Sequence, residues 1–535
     1  MESIREYVVT LYRYEDLEEF YNDMETEGGN LYIPGRAVEL SARRPISRNT
    51  HYMLTDAEAA TLKDDPRVEA VSLTAKDLGL KVVPFVTQYS NRWDKSSLVD
   101  NTHKNWGILR SVEGVQRSGW GSDSTVNQTG TITLTAEGRN VDVVIMDGHL
   151  NKDHPEFAVN PDGTGGSRVV QYNWFQHTSQ VTGAANGTYS YTVAVNDDNN
   201  HGNHVAGIAC GNTQGWARCA NIYHINPYGT SPSSIGTEFL FDYVRAWHNS
   251  KPINPATGYK NPTIMNCSFG LSYMFDVAGV NKLYYRGALV TSKATATTLT
   301  NYGIYNNGTT WVADGRIAAM DADAIDAIND GIIIVGAAGN WRTMADVDTG
   351  PDINNYFIWN YGGTDYTVPY NTGSSPGCSP GVICVGAVDS IAAERKADYS
   401  SRGPRVDVFA PGTNIMSSVN SGTVSDTRNS SYYLSKLSGT SMASPQVTGV
   451  LAALLEVYPR WKQADARAYL ANVAKSSQVN DTGGALSDWY ALRGANNKYL
   501  YYRQERPNTG SAWPKVNYNT RPTSGVAYPR FTRKI

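Results

Sequence analysis

The chain has 535 residues, 41% of them apolar and 18% charged, with a formal net charge of −4. That composition allows a sizeable core and two or three domains, and its balanced charge gives no basic field for nucleic acid. The longest apolar runs, such as "GIIIVGAAG" and "GVLAALLEVY", are too short to span a bilayer, so neither nucleic acid nor a membrane is an expected partner. The opening "MESIREYVVTLYRYEDLEEF" lacks a basic flank followed by an apolar core, so no secretory signal is read and a cytoplasmic location is expected. Five cysteines spread over this length do not suggest a disulfide framework. Cys378 and Cys384 are close enough in sequence to pair, with two reduced thiols as the plainer alternative.

Residues 1–80 read as a small α+β unit. "REYVVTLYR" predicts a strand, "YEDLEEFYNDMETEGG" a helix ending at Gly, and "AVELSARR" and "THYML" two strands. In "TDAEAATLKDD", Thr55 with Glu58 three residues on has capping-box spacing, and "RVEAVSL" closes the unit as a strand. The order β-α-β-β-α-β is that of a ferredoxin-like fold. Residues 81–105 show little periodicity and read as a linker. From Trp106 to about 480, short β-branched runs ("VDVVIMDG", "PTIMNCSFG", "IIIVGAAGN", "GVICVGAVD") alternate with helical segments. This predicts a mostly parallel sheet with helices on both faces, whose strand carboxyl ends collect function. Two stretches, roughly 160–195 and 271–315, are rich in Thr, Asn, Gly and Tyr and read as surface insertions. Residues 481–535 lose apolar periodicity. They read as a draped tail, or as an arm for assembly anchored by Tyr499, Tyr501, Tyr502, Trp513, Tyr518 and Tyr528.

Four motifs carry candidate chemistry. "NVDVVIMDG" runs a strand into Asp147, a carboxylate placed to orient an imidazole, though alone it reads as a turn residue. "HGNHVAGIACG" opens a helix of small residues with His201. His201 and His204 are three apart, but no third ligand motif accompanies them, so two buried histidines are preferred to zinc. "GIIIVGAAGN" ends a strand at Asn340, whose side-chain amide is a candidate donor to an oxyanion; Gly-Asn is also a common turn. "SGTSMASPQ" precedes the apolar "VTGVLAALLEVY" and sets Ser441 at the positive end of a helix dipole. Capping residues and an early Pro explain the same pattern blandly.

Asp147, His201, Asn340 and Ser441 in this order resemble the subtilisin-like serine proteases, the subtilases. The likeness is carried by the "VxVxD" strand end with "HPE" after it, by "HGNHVAG" against "HGTHVAG", by "AAGN", and by "GTSMASP". "NCSFG" (266–270), "SPGVICVGAVD" (379–389), "SSRGPRVDVFAPG" (400–412) and "NWGILRSV" (105–112) extend it over about residues 106–475. The resemblance implies a serine endopeptidase with Asp147, His201 and Ser441 as a triad acting through an acyl-enzyme, and Asn340 in the oxyanion hole. It implies Ser268, Phe269 and Gly270 as the strand that pairs with substrate, and Ala338 and Gly339 as the opposite wall of the primary pocket. Phe269 is expected to narrow that pocket toward apolar or aromatic side chains. Residues 1–80 are implied to be a prodomain that is the enzyme's own partner, cut off by self-processing within 75–105. The sequence departs from the family where Gly148 and His149 follow the aspartate, putting a second titratable group nearby, and where Asn203 stands for the usual Thr. The segment after the histidine helix is too short for the calcium loop of some relatives; no metal or other cofactor is expected. The alternative is a structural or binding component of a larger assembly, such as a virion, built on the same module.

Overall fold

In the computed structural model, residues 3–35, 40–84, 88–90, 106–114, 134, 136–193, 200–390, 393–422, 424–484 and 488–502 are described. Strands β1 (Arg5–Leu11), β2 (Leu40–Ala42), β3 (Asn49–Leu54) and β4 (Val68–Leu73) form an antiparallel sheet in the order β2-β3-β1-β4, with helices α1 (Leu17–Glu25) and α2 (Asp56–Leu62). Alternation along β1 sends Tyr7, Val9 and Leu11 onto Phe20, Met24 and Leu62, as a strand of period two requires. Thr55 Oγ1 accepts from the Glu58 amide at 3.3 Å while the Glu58 carboxylate accepts from the Thr55 amide at 2.7 Å, which closes the predicted capping box.

The large domain is a nine-stranded sheet. Its strands include β7 (Asp142–Met146), β8 (Val169–Val170), β9 (Asn221–Ile225) and β10 (Thr263–Cys267), where β5 and β6 are the two short strands Lys81–Pro84 and Gln88–Ser90 that precede it. Further along come β11 (Phe269–Phe275) and β12 (Trp311–Gly315), which lie in a separate sheet, then β13 (Ile333–Ala337), β14 (Ile383–Val388), β15 (Val408–Pro411), β16 (Asn429–Ser438, also outside the large sheet), β17 (Lys475–Ser476) and β18 (Lys498–Tyr499). The large sheet runs β17-β18-β15-β14-β13-β10-β7-β9-β8 and is parallel except for the β17–β18 pair. The unbroken apolar run of β7 follows from burial on both faces. Val143 and Ile145 join the core made with α3 (His201–Cys210), while Val144 and Met146 join the core made with α4 (Leu240–Ser250) and α5 (Ala318–Asn329). Helix α6 (Thr440–Val457) packs beside α3 in the first of these cores. Among the described residues no helix is long and apolar enough to cross a membrane.

The front domain sits on α4 and α5. Arg44, fully buried, donates to Asp242 at 2.9 and 2.7 Å and to Asp323 at 2.6 Å, and Ser47 and Asn49 both donate to Asp323 at 2.9 Å. Three expectations change here. Residues 81–105 are not all linker: β5 pairs antiparallel with β11 and β6 with β16. The insertion 271–315 is more than surface decoration, since β11 and β12 pair along it and Leu271, Phe275, Leu283 and Leu299 are buried. The large domain also runs past 480. β18 joins the sheet beside β15, and Tyr499 and Tyr502 are buried core residues rather than docking anchors. Trp513, Tyr518 and Tyr528 lie outside the described residues. Cys378 and Cys384 are reduced, with sulfurs 3.7 Å apart.

Candidate active site

Three adjacent parallel strands, β7, β10 and β13, deliver Asp147, Ser268 and, three residues past the end of β13, Asn340 to one edge of the sheet. Asp147 is fully buried. Its Oδ1 accepts from the Gly148 amide at 2.7 Å and lies 2.6 Å from His201 Nδ1. His201 is the first residue of α3, and a close approach of that helix to the Asp147–Gly148 turn makes the contact. A Cβ on Gly202 would fall 2.1 Å from the Gly148 carbonyl oxygen, so only glycine fits there. Asn203, the departure from the family pattern, accepts from the Asn151 amide at 2.9 Å and ties α3 to the loop after Asp147. His204 faces away and bonds the Ser435 carbonyl at 3.1 Å, so the two histidines do not form a pair; among the described residues no cluster of three His, Cys, Asp or Glu is arranged to hold a metal.

His149, the other departure, is half-buried and burial lowers its pKa, which favours the neutral ring. A histidine that sequence reasoning passed over bonds the aspartate's own backbone: His224 on β9 is buried, its Nε2 donates to the Asp147 carbonyl at 3.1 Å, and burial holds its pKa down at about 4. Its only signal in the sequence was a polar residue inside the apolar run "ANIYHINPY".

Ser441 is the second residue of α6. Its Oγ donates to the Ser268 carbonyl at 2.8 Å, and Ser268 Oγ donates back to the Ser441 carbonyl at 3.0 Å. Pro445 explains the second bond: it has no N–H for the carbonyl four residues before it, and the Ser268 hydroxyl takes that place. Asn266 holds Ser268 in turn, donating to its Oγ at 2.8 Å while accepting from Ser444 and Thr448 of α6 at 2.8 and 2.9 Å. Asn340 is gripped from one side. Its Oδ1 accepts from the Thr440 amide at 2.9 Å and the Thr440 hydroxyl at 2.8 Å, and its Nδ2 is buried with no hydrogen-bond partner among the described residues. An amide anchored by its oxygen with its N–H left open is arranged to receive an acceptor.

The expected substrate walls take different parts. Gly270 lies on the strand that β5 covers. Ala338 and Gly339 stand just before Asn340, Gly339 with φ +109°, where its backbone needs glycine. Phe269, however, does not narrow a pocket, because its side chain is fully buried in the core with Met146 and Leu271, on the other face of β11.

Comparison with known proteins agrees with this geometry. A sequence model described as the subtilase family matches residues 138–490. Subtilisin of Bacillus pumilus is 33% identical over 148 residues, 28% of this chain and 41% of that protein. Alkaline serine exoprotease A of Vibrio alginolyticus is 22% identical over 448 residues, 84% of this chain and 57% of that protein. The chain thus spans less than two thirds of the length of these relatives. Among solved structures, fervidolysin from Fervidobacterium pennivorans, a keratinolytic enzyme related to subtilisin, aligns with a TM-score of 0.51 at 18% identity, over 93% of this chain and 60% of that one, a likeness of fold.

Proposed function

Since the chain belongs to the subtilase family, we propose that it is a serine endopeptidase that cuts polypeptides through an acyl-enzyme and is made as a self-processing zymogen. A serine hydroxyl is a weak nucleophile at neutral pH and needs a base. His201 Nε2 takes the Ser441 proton as Oγ turns from the Ser268 carbonyl and bonds the substrate carbonyl carbon. Asp147, accepting at Nδ1, fixes the tautomer and stabilises the imidazolium. The carbonyl oxygen, now negative, is received by Asn340 Nδ2 and the Ser441 amide at the helix terminus. His201 then gives its proton to the leaving amine as the C–N bond breaks, and water repeats the sequence to free the acid. The observation that carries this reading is the open Asn340 donor beside Ser441: a buried N–H without a partner is costly in a merely structural site. A fluorophosphonate probe tests it. Labelling of Ser441 in folded, processed protein is expected; its absence there favours the binding-module reading.

The zymogen part rests on β5 and β6. The chain leaving the front domain pairs with β11 up to Phe269 opposite Pro84, then resumes on β16 with Gln88 opposite Ser438. β11 begins next to Ser268 and β16 ends next to Gly439-Thr440-Ser441. Pro84 and Gln88, four positions apart in sequence, are thus both held on strands that adjoin the residues around Ser441. We place the self-processing cut between Pro84 and Gln88, within the wider window read from the sequence. Intact mass distinguishes the outcomes: Ser441→Ala stays full length while the wild type releases a fragment ending at one of residues 84–87. If both stay uncut, self-processing is wrong.

A further inference from the structure

β11 has two unlike faces. Phe269, Leu271, Tyr273 and Phe275 belong to the core, so Gly270 and Ser272 point to the other side. Asp314 of β12 is directly opposite Ser272 in the antiparallel pair and shares that side. Trp341 Nε1 donates to Ser272 Oγ at 3.3 Å, and the Thr343 hydroxyl donates to Asp314 Oδ2. A Cβ built on Gly339 would stand 3.8 Å from Asp314 Oδ1. Asp314 therefore lies where the substrate-pairing strand meets the Ala338–Gly339 wall that leads to Asn340. The same Cβ on Gly339 would stand 2.9 Å from Ser401 Oγ, which the Thr343 hydroxyl meets at 2.9 Å, so Ser401 shares this corner with Asp314.

Asp314 is fully buried, and its Oδ1 has no hydrogen-bond partner among the described residues. No described cation compensates it: Arg316, two residues on, is bonded to Asp321 at 2.7 Å, and Arg342 to Asp398 at 3.2 Å. Burial accordingly pushes its carboxyl up to about 7. A core has no use for a half-bonded carboxyl, since buried charges are paired or bind something.

We propose that Asp314 ends the primary specificity slot and selects a lysine or arginine side chain on the acyl side of the scissile bond. This rests on the endopeptidase reading above. The alkyl stem of such a residue runs between Gly270 and Gly339 beside the Trp341 indole, and its cationic head completes the open valence of Oδ1. A neutral side chain leaves that oxygen unpaired, and an acidic one meets a like charge. The stretch 84–88 holds no basic residue, which is no contradiction: an intramolecular first cut proceeds on proximity, without help from side-chain fit.

The experiment uses self-processed protein at pH 8 and peptides that differ only in the residue before the cut: Arg, Lys, Leu, Phe or Glu. Wild type is expected to favour Arg and Lys over Leu about a hundredfold in kcat/KM. Asp314→Asn is expected to bring that ratio to within about threefold of one, with Ser441 still labelled by a fluorophosphonate. A wild-type enzyme that labels and cleaves without favouring basic residues overturns the proposal and leaves the endopeptidase reading standing, even if the variant does not fold. An Asp314→Asn enzyme that loses all peptides in proportion also overturns it, since that marks a scaffold role. Wild-type protein that neither labels nor cleaves removes both.

Discussion

Thr440 is the residue through which the oxyanion geometry is most cleanly tested. Its hydroxyl both donates to Asn340 Oδ1 at 2.8 Å and accepts from the Gly339 amide at 3.2 Å, while its own amide donates to the same Oδ1 at 2.9 Å. Thr440→Val keeps the shape and the backbone bond and removes the hydroxyl. One of the two bonds that aim the Asn340 amide is lost, worth about 0.5–1.5 kcal/mol, and the buried Gly339 N–H is left unpaired, a cost of about 1–3 kcal/mol. Only the part that lets the amide turn reaches the transition state. At about 1–2 kcal/mol, that part predicts a fall in kcat of roughly 5- to 30-fold with KM little changed. The ceiling is set by removing the donor outright: Asn340→Leu is expected to cost about 10²–10³, the size that loss of such a donor has in subtilisin. Steady-state kinetics on one peptide, for both single variants and the double, decides the matter. If Thr440 acts through Asn340, the double variant is no slower than Asn340→Leu alone, and Thr440→Ser is near wild type. A Thr440→Val enzyme within twofold of wild type, or a double variant whose losses multiply, refutes the reasoning.

Gly202→Ala places a methyl 2.1 Å from the Gly148 carbonyl oxygen, so α3 must withdraw and His201 with it. An ångström of misplacement predicts at least about a hundredfold loss of kcat/KM in protein whose circular dichroism is unchanged, and wild-type activity here removes the close-approach argument. His224, whose pKa burial lowers to about 4 from the ordinary histidine value near 6.5, links stability to pH. The unfolded chain takes up the proton near 6.5 and the folded one resists it, so this contribution is full above pH 6.5 and is lost as pH falls toward 4, about 3 kcal/mol in all. Urea unfolding of the Ser441→Ala chain at pH 7.5 and 4.5 is expected to show this loss, and His224→Gln, which keeps a donor for the Asp147 carbonyl, to lack it; equal pH dependence in both rejects the assignment.

What was legible in the sequence followed from how each residue is placed. Asp147 and Asn340 stand just past β-branched strands, and His201 and Ser441 stand at the starts of helices made of small or apolar residues. A strand end or helix start combined with a chemical side chain is a local pattern, and the four patterns together assemble a site. Asp314 had no such pattern. It faces Ser272 across 41 intervening positions of an insertion, and only the pairing of two strands distant in sequence shows that its carboxyl shares a side with Gly270. Thr440 was in plain view inside "GTSMASP", yet its task depends on Asn340, a hundred residues earlier. β5 and β6 were hidden for a different reason. They are held to β11 and β16 by backbone pairing, which asks nothing of side-chain period, so their residues read as linker. That indifference is also what a peptide-cutting site needs. If strand pairing accepts any chain, the choice among chains must be made by the few side chains that enter a slot, and the buried carboxyl at the end of this one is the feature positioned to make it.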